Sequence, residues 1–169
     1  MISFQTVTTI DDEEFNSLYR DSSYYMDRSN YPYWIHGLRD PEDRRRHIRA
    51  EFDRWLSDGV VWRVSDGDLA IGLSAGEISD GRLMWFLILN GLDANGSRSY
   101  LYDDSYIAAR NALFTSLGVS SWTVEITGEG NSMHEYFKRL NEQGKLGSNV
   151  TEEVTDAGSG LKIVRITVT

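Results

Sequence analysis

The sequence predicts a mixed α/β fold in which one mostly antiparallel sheet carries helices on both faces. Two short strands, 60–66 and 69–78, are joined by an Asp-Gly turn at 66–68, which is a strong hairpin signal. The run RLMWFLILN (82–90) is apolar on both faces, as expected for a central strand that is covered on both sides. A helical stretch at 106–117 leads from this strand to another, and such a crossover requires a parallel strand pair.

The segments before the hairpin predict one strand and two helices. Residues 2–8 alternate loosely between polar and apolar, and the acidic pair at 11–12 can cap a first helix. A second helix begins at 40–41, because proline in the first turn loses no hydrogen bond, and it ends at Gly59. The aromatic, turn-rich segment 24–38 predicts a loop between the two helices.

The segments after the crossover helix complete the sheet. Strand 121–127 has one apolar face, and a Gly-rich turn leads from it to a helix over 132–140. Two strand-like runs, 149–155 and 161–169, close the chain. The predicted order is therefore β-α-α-β-β-β-α-β-α-β-β, in a single domain over residues 1–169.

Composition narrows the classes of function. The chain has 17 basic and 26 acidic residues, a formal net charge of −9, so neither nucleic acid nor an anionic membrane is an expected partner. It has no cysteine, which excludes disulfides, thiolate zinc sites and cysteine nucleophiles, and its three histidines show no metal-binding spacing. The N-terminus lacks a secretion signal and no apolar run reaches the roughly 20 residues of a membrane span, so a cytoplasmic protein is expected.

The element order, together with the stretch ALFTSLGVSSWTVEITGEGNSMHEYFKRL (112–140), resembles the GNAT superfamily of N-acyltransferases. The stretch matches the family's helix, Leu-Gly, strand, Asn, and a helix with an aromatic pair. The resemblance implies a GNAT-like sheet, acetyl-CoA or another acyl-CoA as cofactor, and acyl transfer to the amine of a small molecule or peptide. In such proteins two neighbouring strands splay apart around the thioester arm, which assigns Leu87, Ile88 and Leu89 to cofactor binding.

The family holds the coenzyme diphosphate at the start of the helix after the central strand, on a loop with Arg or Gln followed by two small residues. In this sequence Arg98, with Ser99 beside it, matches the Arg or Gln, but the two small positions fall on Leu101 and Asp103. At about 4 Å and an effective dielectric near 20, each like-charge contact costs about 4 kcal/mol. Two interpretations remain open. In the first, Asp103, Asp104 or Ser105 caps the helix from within. In the second, the loop is shifted in register and binds phosphate through Gly91, Gly96, Ser97 and Ser99.

The resemblance also suggests catalytic residues, each with a structural alternative. Tyr136 matches the tyrosine that protonates the departing thiolate, although a core aromatic fits the same position. Asn131 matches an asparagine that binds the coenzyme arm, and it also fits as a helix N-cap. Glu77 and Glu125 are the acids nearest to the central strand that can serve as the general base, with solvent exposure as the alternative for Glu125.

The aromatic loop corresponds to the part of the family that builds the acceptor pocket. Tyr25, Tyr31, Tyr33 and Trp34 are therefore candidate substrate-binding residues, and the alternative is that they cover the core. The sequence favours two functions: an acyl-CoA N-acyltransferase, or a non-catalytic binding or assembly module on the same fold. A third, more distant option is an enzyme on this fold that uses a different, uncharged cofactor or substrate. A homodimer is compatible with the apolar strands and the C-terminal hairpin.

Overall fold

Strands and helices follow one another in the predicted order. The computed structural model describes residues 1–28, 38–92, 96, 99–158 and 160–169, and of residues 23–28 it describes the main chain alone. The elements are β1 (Ile2–Val7), α1 (Asp12–Arg28), α2 (Pro41–Asp58), β2 (Val60–Asp66), β3 (Leu69–Ser79), β4 (Arg82–Asn90), α3 (Asp104–Leu117), β5 (Ser121–Thr127), α4 (Ser132–Glu142), β6 (Val150–Asp156) and β7 (Lys162–Val168). A 3₁₀ turn, Tyr100–Tyr102, precedes α3. The predicted fold class is thus confirmed.

The seven strands form one sheet in the order β1-β2-β3-β4-β5-β7-β6. Every neighbouring pair is antiparallel except β4 and β5, which are parallel as the crossover requires. Within the described residues, β4 and β5 pair only from Arg82 and Ser121 to Met84 and Thr123. The remainder of β4 therefore has no strand partner on its β5 side, and the sheet is split at the carboxyl ends of these two strands.

A β-bulge lies in β4 at the split. Leu73 of β3 is opposite Leu89 and the next residue, Ser74, is opposite Leu87, so Ile88 is an extra residue in β4. The extra residue shifts the alternation of side chains. Leu87 packs with the core under α3 and α4, whereas Ile88 and Leu89 both belong to the core under α1 and α2.

Two hydrophobic cores lie on opposite faces of the sheet. Trp85, Trp122 and Phe137 belong to the core beneath α3 and α4, and the ring of Trp85 meets both other rings edge-on. Phe15, Phe52 and other buried residues form the core beneath α1 and α2. Helices on both faces are what a central strand without a polar face requires.

The structure corrects one boundary. The sequence predicted a loop from residue 24, but α1 continues to Arg28. Residues 24–28 contain neither glycine nor proline, so nothing local stops the helix before them. The part of the chain that the structure describes contains no helix long and apolar enough to cross a membrane.

Candidate functional site

The N-terminus of α3 is capped by the protein itself. A carboxylate oxygen of Asp103 accepts the main-chain N–H of Ser105 at 2.8 Å, and the carbonyl of Asp103 accepts those of Tyr106 and Ile107. Just before it, the hydroxyl oxygen of Ser99 caps the 3₁₀ turn. The first interpretation of this loop is therefore confirmed for Asp103: its carboxylate takes a donor that an anion at this helix would otherwise use.

A polar pocket of about 420 Å³ opens beside this helix start. It lies between α3 and α4, and its lining includes two acids and two cations. Lys145 Nζ is 2.9 Å from a carboxylate oxygen of Asp104, so one cation is already paired with one acid. The lining residues are Tyr102, Asp103, Asp104, Ile107, Tyr136, Arg139, Leu140, Gln143 and Lys145.

A smaller cavity of about 150 Å³ lies at the split between β4 and β5. Its walls combine apolar side chains with a few polar groups, as small-molecule sites do. They are formed by Asn90, Ser99, Leu101, Tyr102, Ser132, Met133 and Tyr136. Tyr136 lines both this cavity and the polar pocket, so its side chain stands where the two meet.

Tyr136 is a buried phenol whose hydroxyl has a partner. Only 4% of the residue is exposed, and its hydroxyl donates to the main-chain carbonyl of Leu101 at 2.7 Å. Burial raises the pKa of the Tyr136 phenol well above its ordinary value, and the positive charge of Arg110 opposes this shift without reversing it. Tyr136 is therefore a neutral, protonated group at neutral pH.

Tyr100 forms a second buried link at the split. Its hydroxyl donates to the side-chain oxygen of Asn90, the last residue of β4, at 2.8 Å. Gly72 of β3 allows this approach, since a Cβ there would lie 2.5 Å from the Tyr100 hydroxyl oxygen. The turn before α3 is thus tied to β4 by Tyr100 and to α4 by the carbonyl of Leu101.

Arg110 of α3 is a functional candidate that the sequence analysis missed. It is fully buried, and its guanidinium lies 5.9 Å from the ring of Trp85 and 5.4 Å from that of Trp122. A signal was present in the sequence, because Arg110 shares the apolar stripe of α3 with Ile107 and Phe114 at helical spacing.

Asn131, Glu77 and Glu125, which the sequence also proposed for the site, make other contacts in the structure. Asn131 caps α4, its side-chain oxygen accepting the N–H of His134 at 2.9 Å, so the structural alternative holds for this contact. Glu77 contacts Arg54 and Trp55 and is paired in register with Met84, at the other end of β4. Glu125 is bound to Arg165 of β7 on the sheet face opposite the α3–α4 core. Neither acid is brought next to Tyr136.

The remaining predicted residues cannot be placed. Arg98 and the aromatic residues Tyr31, Tyr33 and Trp34 lie outside the described residues. The main chain of Tyr25 is in α1, and its side chain is outside the described part. Their assignments to cofactor and substrate binding stay predictions.

Comparison with solved structures shows the fold. No protein-family model matches the sequence, and no curated protein matches it either. Three similar structures cover 99% of this chain. A Desulfovibrio desulfuricans protein assigned to the GNAT acetyltransferase family matches with a TM-score of 0.60, 12% identity and 98% of its own length. A Bacillus subtilis acetyltransferase in complex with CoA matches with a TM-score of 0.56 and 9% identity, over 98% of its own length. The Escherichia coli ribosomal-protein-S18-alanine N-acetyltransferase matches with a TM-score of 0.55 and 10% identity, over 93% of its own length. The chain has the GNAT superfamily fold.

Proposed function

We propose that this protein is an acyl-CoA N-acyltransferase, which moves an acyl group from the coenzyme to an amine. The observation that carries the proposal is the split between β4 and β5. The two strands stop pairing after Met84 and Thr123, and a cavity lined by Tyr136 lies at the open end. A thioester arm needs such a gap, because its amide groups bind like a strand to the unpaired edge of β4.

The residues at the split fit the arm of an acyl-CoA. The bulged stretch Leu87–Leu89 belongs to the part of β4 that has no partner on β5, and Leu101 and Met133 give the adjacent cavity an apolar wall. The phosphorylated end of the coenzyme fits less directly, because Asp103 already caps α3. Arg139 and Lys145 line the neighbouring pocket, so the phosphates fit when displaced towards these two cations.

When bound, the coenzyme supplies a thioester whose acyl carbon is open to attack by an amine. Like any phenol, Tyr136 is protonated at neutral pH and so holds a proton that a departing thiolate can take. Burial raises its pKa, which makes it a weaker acid than an ordinary phenol and opposes this transfer. Leu101 and Met133 give the cavity an apolar wall against which the arm can pack. The hydroxyl of Tyr136 must leave the carbonyl of Leu101, or share its proton with it, before it can donate elsewhere.

The acceptor that we propose is a small-molecule or peptide amine. One structural neighbour is named as an N-acetyltransferase for an alanine of a ribosomal protein, so a protein amine is its named acceptor. The formal net charge of −9 supports a cationic acceptor, because a negative protein field attracts protonated amines. The acceptor must lose its proton before it attacks, and Glu77 and Glu125 stay the predicted bases.

A thermal-denaturation assay with acetyl-CoA tests the proposal. A ligand at 100 times its Kd adds about 2.7 kcal/mol of stability, which moves the midpoint visibly. ATP at the same concentration is the control for nonspecific effects of an adenine nucleotide. Release of free thiol in the presence of a panel of amines then tests transfer. Absence of a midpoint shift at millimolar acetyl-CoA would contradict the proposal.

A second function is favoured by one contact. The bond from Tyr136 to Leu101 occupies the hydroxyl that catalysis would use, and both residues are buried. A non-catalytic binding or assembly module would keep this contact permanently. This alternative predicts a folded protein with no response to acetyl-CoA, whereas the acyltransferase predicts both a response and thiol release.

A further inference from the structure

Arg110 is a buried positive charge without an acidic partner among the residues that the structure describes. Its Nη2 donates to the carbonyl of Lys145 at 3.0 Å and to the side-chain oxygen of Asn111 at 2.9 Å. Its Nη1 is buried and has no hydrogen-bond partner in the described part of the chain. A guanidinium stays charged in proteins, so its burial without an anion is costly.

The surroundings of Arg110 only partly compensate for this cost. The rings of Trp85 and Trp122 lie within cation–π distance, which stabilises a cation without neutralising it. The guanidinium therefore keeps its positive charge and attracts negatively charged groups near it. This attraction falls off less in the protein interior, where the dielectric constant is low, than it does in water.

The polar pocket between α3 and α4 lies next to this charge. Ile107, one helical turn before Arg110 on the same face of α3, lines the pocket. Lys145, whose carbonyl binds the Arg110 guanidinium, lines it too. Arg110 thus contacts the wall of the pocket from the side of the core.

The charged residues that line the pocket determine how much the nearby charge of Arg110 can change its net charge. Among the residues that the structure describes, the lining carries Asp103 and Asp104 against Arg139 and Lys145, and the formal charges of these four sum to zero. The start of α3 beside them is already capped by Asp103. With Arg110 behind its wall, the sum of the five charges is positive.

We propose that Arg110 is the residue that makes the pocket between α3 and α4 accept the phosphates of the coenzyme, in place of the open helix N-terminus that Asp103 has closed. This inference rests on the proposed function. Arg110 does not touch the ligand, so it acts as a positioning residue through its charge. At a separation of about 10 Å and an effective dielectric of about 20, one unit charge changes the affinity for another by about tenfold.

Calorimetric titration of two ligands separates this inference from the proposed function. Acetyl-CoA carries the phosphates, whereas S-acetyl-pantetheine carries the same thioester arm without any charge. Arg110→Met keeps an unbranched apolar stem and removes the guanidinium with its charge, and Arg110→Lys keeps a charge. Arg82→Met removes an arginine at the start of β4, the end opposite the split, and serves as the matched control.

We expect Arg110→Met to weaken acetyl-CoA about tenfold, or more for its several phosphate charges, and to leave S-acetyl-pantetheine unchanged. Arg110→Lys should retain most of the affinity, and Arg82→Met should change neither ligand. Arg110→Met leaves the carbonyl of Lys145 without this donor, so its thermal midpoint should fall, and the comparison of the two ligands separates that loss of stability from the effect of the charge.

Equal binding of acetyl-CoA by Arg110→Met and the wild type would overturn the inference and leave the proposed function standing. An equal loss of both ligands would also overturn it, because it would show a structural role. Binding of neither ligand by the wild type would contradict the proposed function, and this inference with it.

Discussion

The hydroxyl of Tyr136 and the main-chain carbonyl of Leu101 form a buried hydrogen bond of 2.7 Å across 35 positions of the chain. It joins α4 to the turn that precedes α3. Both partners also line the cavity at the split between β4 and β5. The same bond therefore fixes the wall of the candidate site and engages the proposed proton donor, and each role has its own measurable consequence.

Tyr136→Phe should affect stability and catalysis separately. Loss of the hydroxyl leaves the buried carbonyl of Leu101 without this donor, which should cost about 1–3 kcal/mol in urea denaturation. If the hydroxyl protonates the departing thiolate, kcat should fall by about 10²–10⁴ while the Kd for acetyl-CoA changes little. Tyr102→Phe, at a residue 44% exposed, should change stability by less than about 0.5 kcal/mol. Unchanged kcat in Tyr136→Phe would remove Tyr136 from the chemistry.

Asp103→Asn should strengthen acetyl-CoA binding without weakening α3. Asparagine caps helices about as well as aspartate, so the thermal midpoint should stay close to that of the wild type. Removal of a carboxylate from the lining should tighten acetyl-CoA by at least about tenfold. Asp40→Asn makes the same change at the N-cap of α2 and should leave the affinity as it is. Weaker binding by Asp103→Asn would show that the phosphates do not approach this residue.

Gly72→Ala should destabilise the fold through Tyr100. The new Cβ would lie 2.5 Å from the Tyr100 hydroxyl and 2.6 Å from the carbonyl oxygen of Leu89. Overpacking of this kind costs about 1–3 kcal/mol. In Gly72→Ala/Tyr100→Phe one of these contacts is absent, so the double variant should lose less stability than the two single changes add up to. Strict additivity in urea denaturation would mean that the two residues are not in contact.

Stability should fall steeply in alkaline solution. Burial raises the pKa of the Tyr100, Tyr106 and Tyr136 phenols, whereas in the unfolded chain a phenol ionises near about 10. Above that pH the unfolded state holds fewer protons than the folded state, so the free energy of unfolding decreases as pH rises. Each phenol contributes up to about 1.4 kcal/mol per pH unit. Denaturation at pH 8–11.5, followed by tyrosinate absorbance, measures this slope. Tyr136→Phe should make it shallower.

Local sequence signals predicted most of the fold and part of the site. Three of these signals lie within short stretches of sequence: the Asp-Gly turn, the run of apolar residues in β4, and the acids before α3. The structure confirms the hairpin, the central strand and the cap by Asp103 that they predicted. The end of α1 was misplaced because aromatic residues suggested a loop where no helix breaker stands.

The long-range part of the site left no local signal. Nothing near Tyr136 indicates that its hydroxyl meets Leu101, and nothing near Lys145 indicates that its carbonyl meets Arg110. A charged residue in a helix is expected to face water, so the sequence does not predict the burial of Arg110, although its neighbours in the stripe are apolar. These contacts depend on how α3 and α4 pack together, which residue spacing does not specify.

The short ladder between β4 and β5 has a consequence for the way the molecule opens. Within the described residues, it is the one strand pairing that joins the first four strands to the last three. Trp85 and Trp122 are in edge-to-face contact across this seam, within the core that α3 and α4 cover. In hydrogen exchange, we expect the seam amides to lose protection before those inside either leaf, and smaller side chains at the two tryptophans to hasten it.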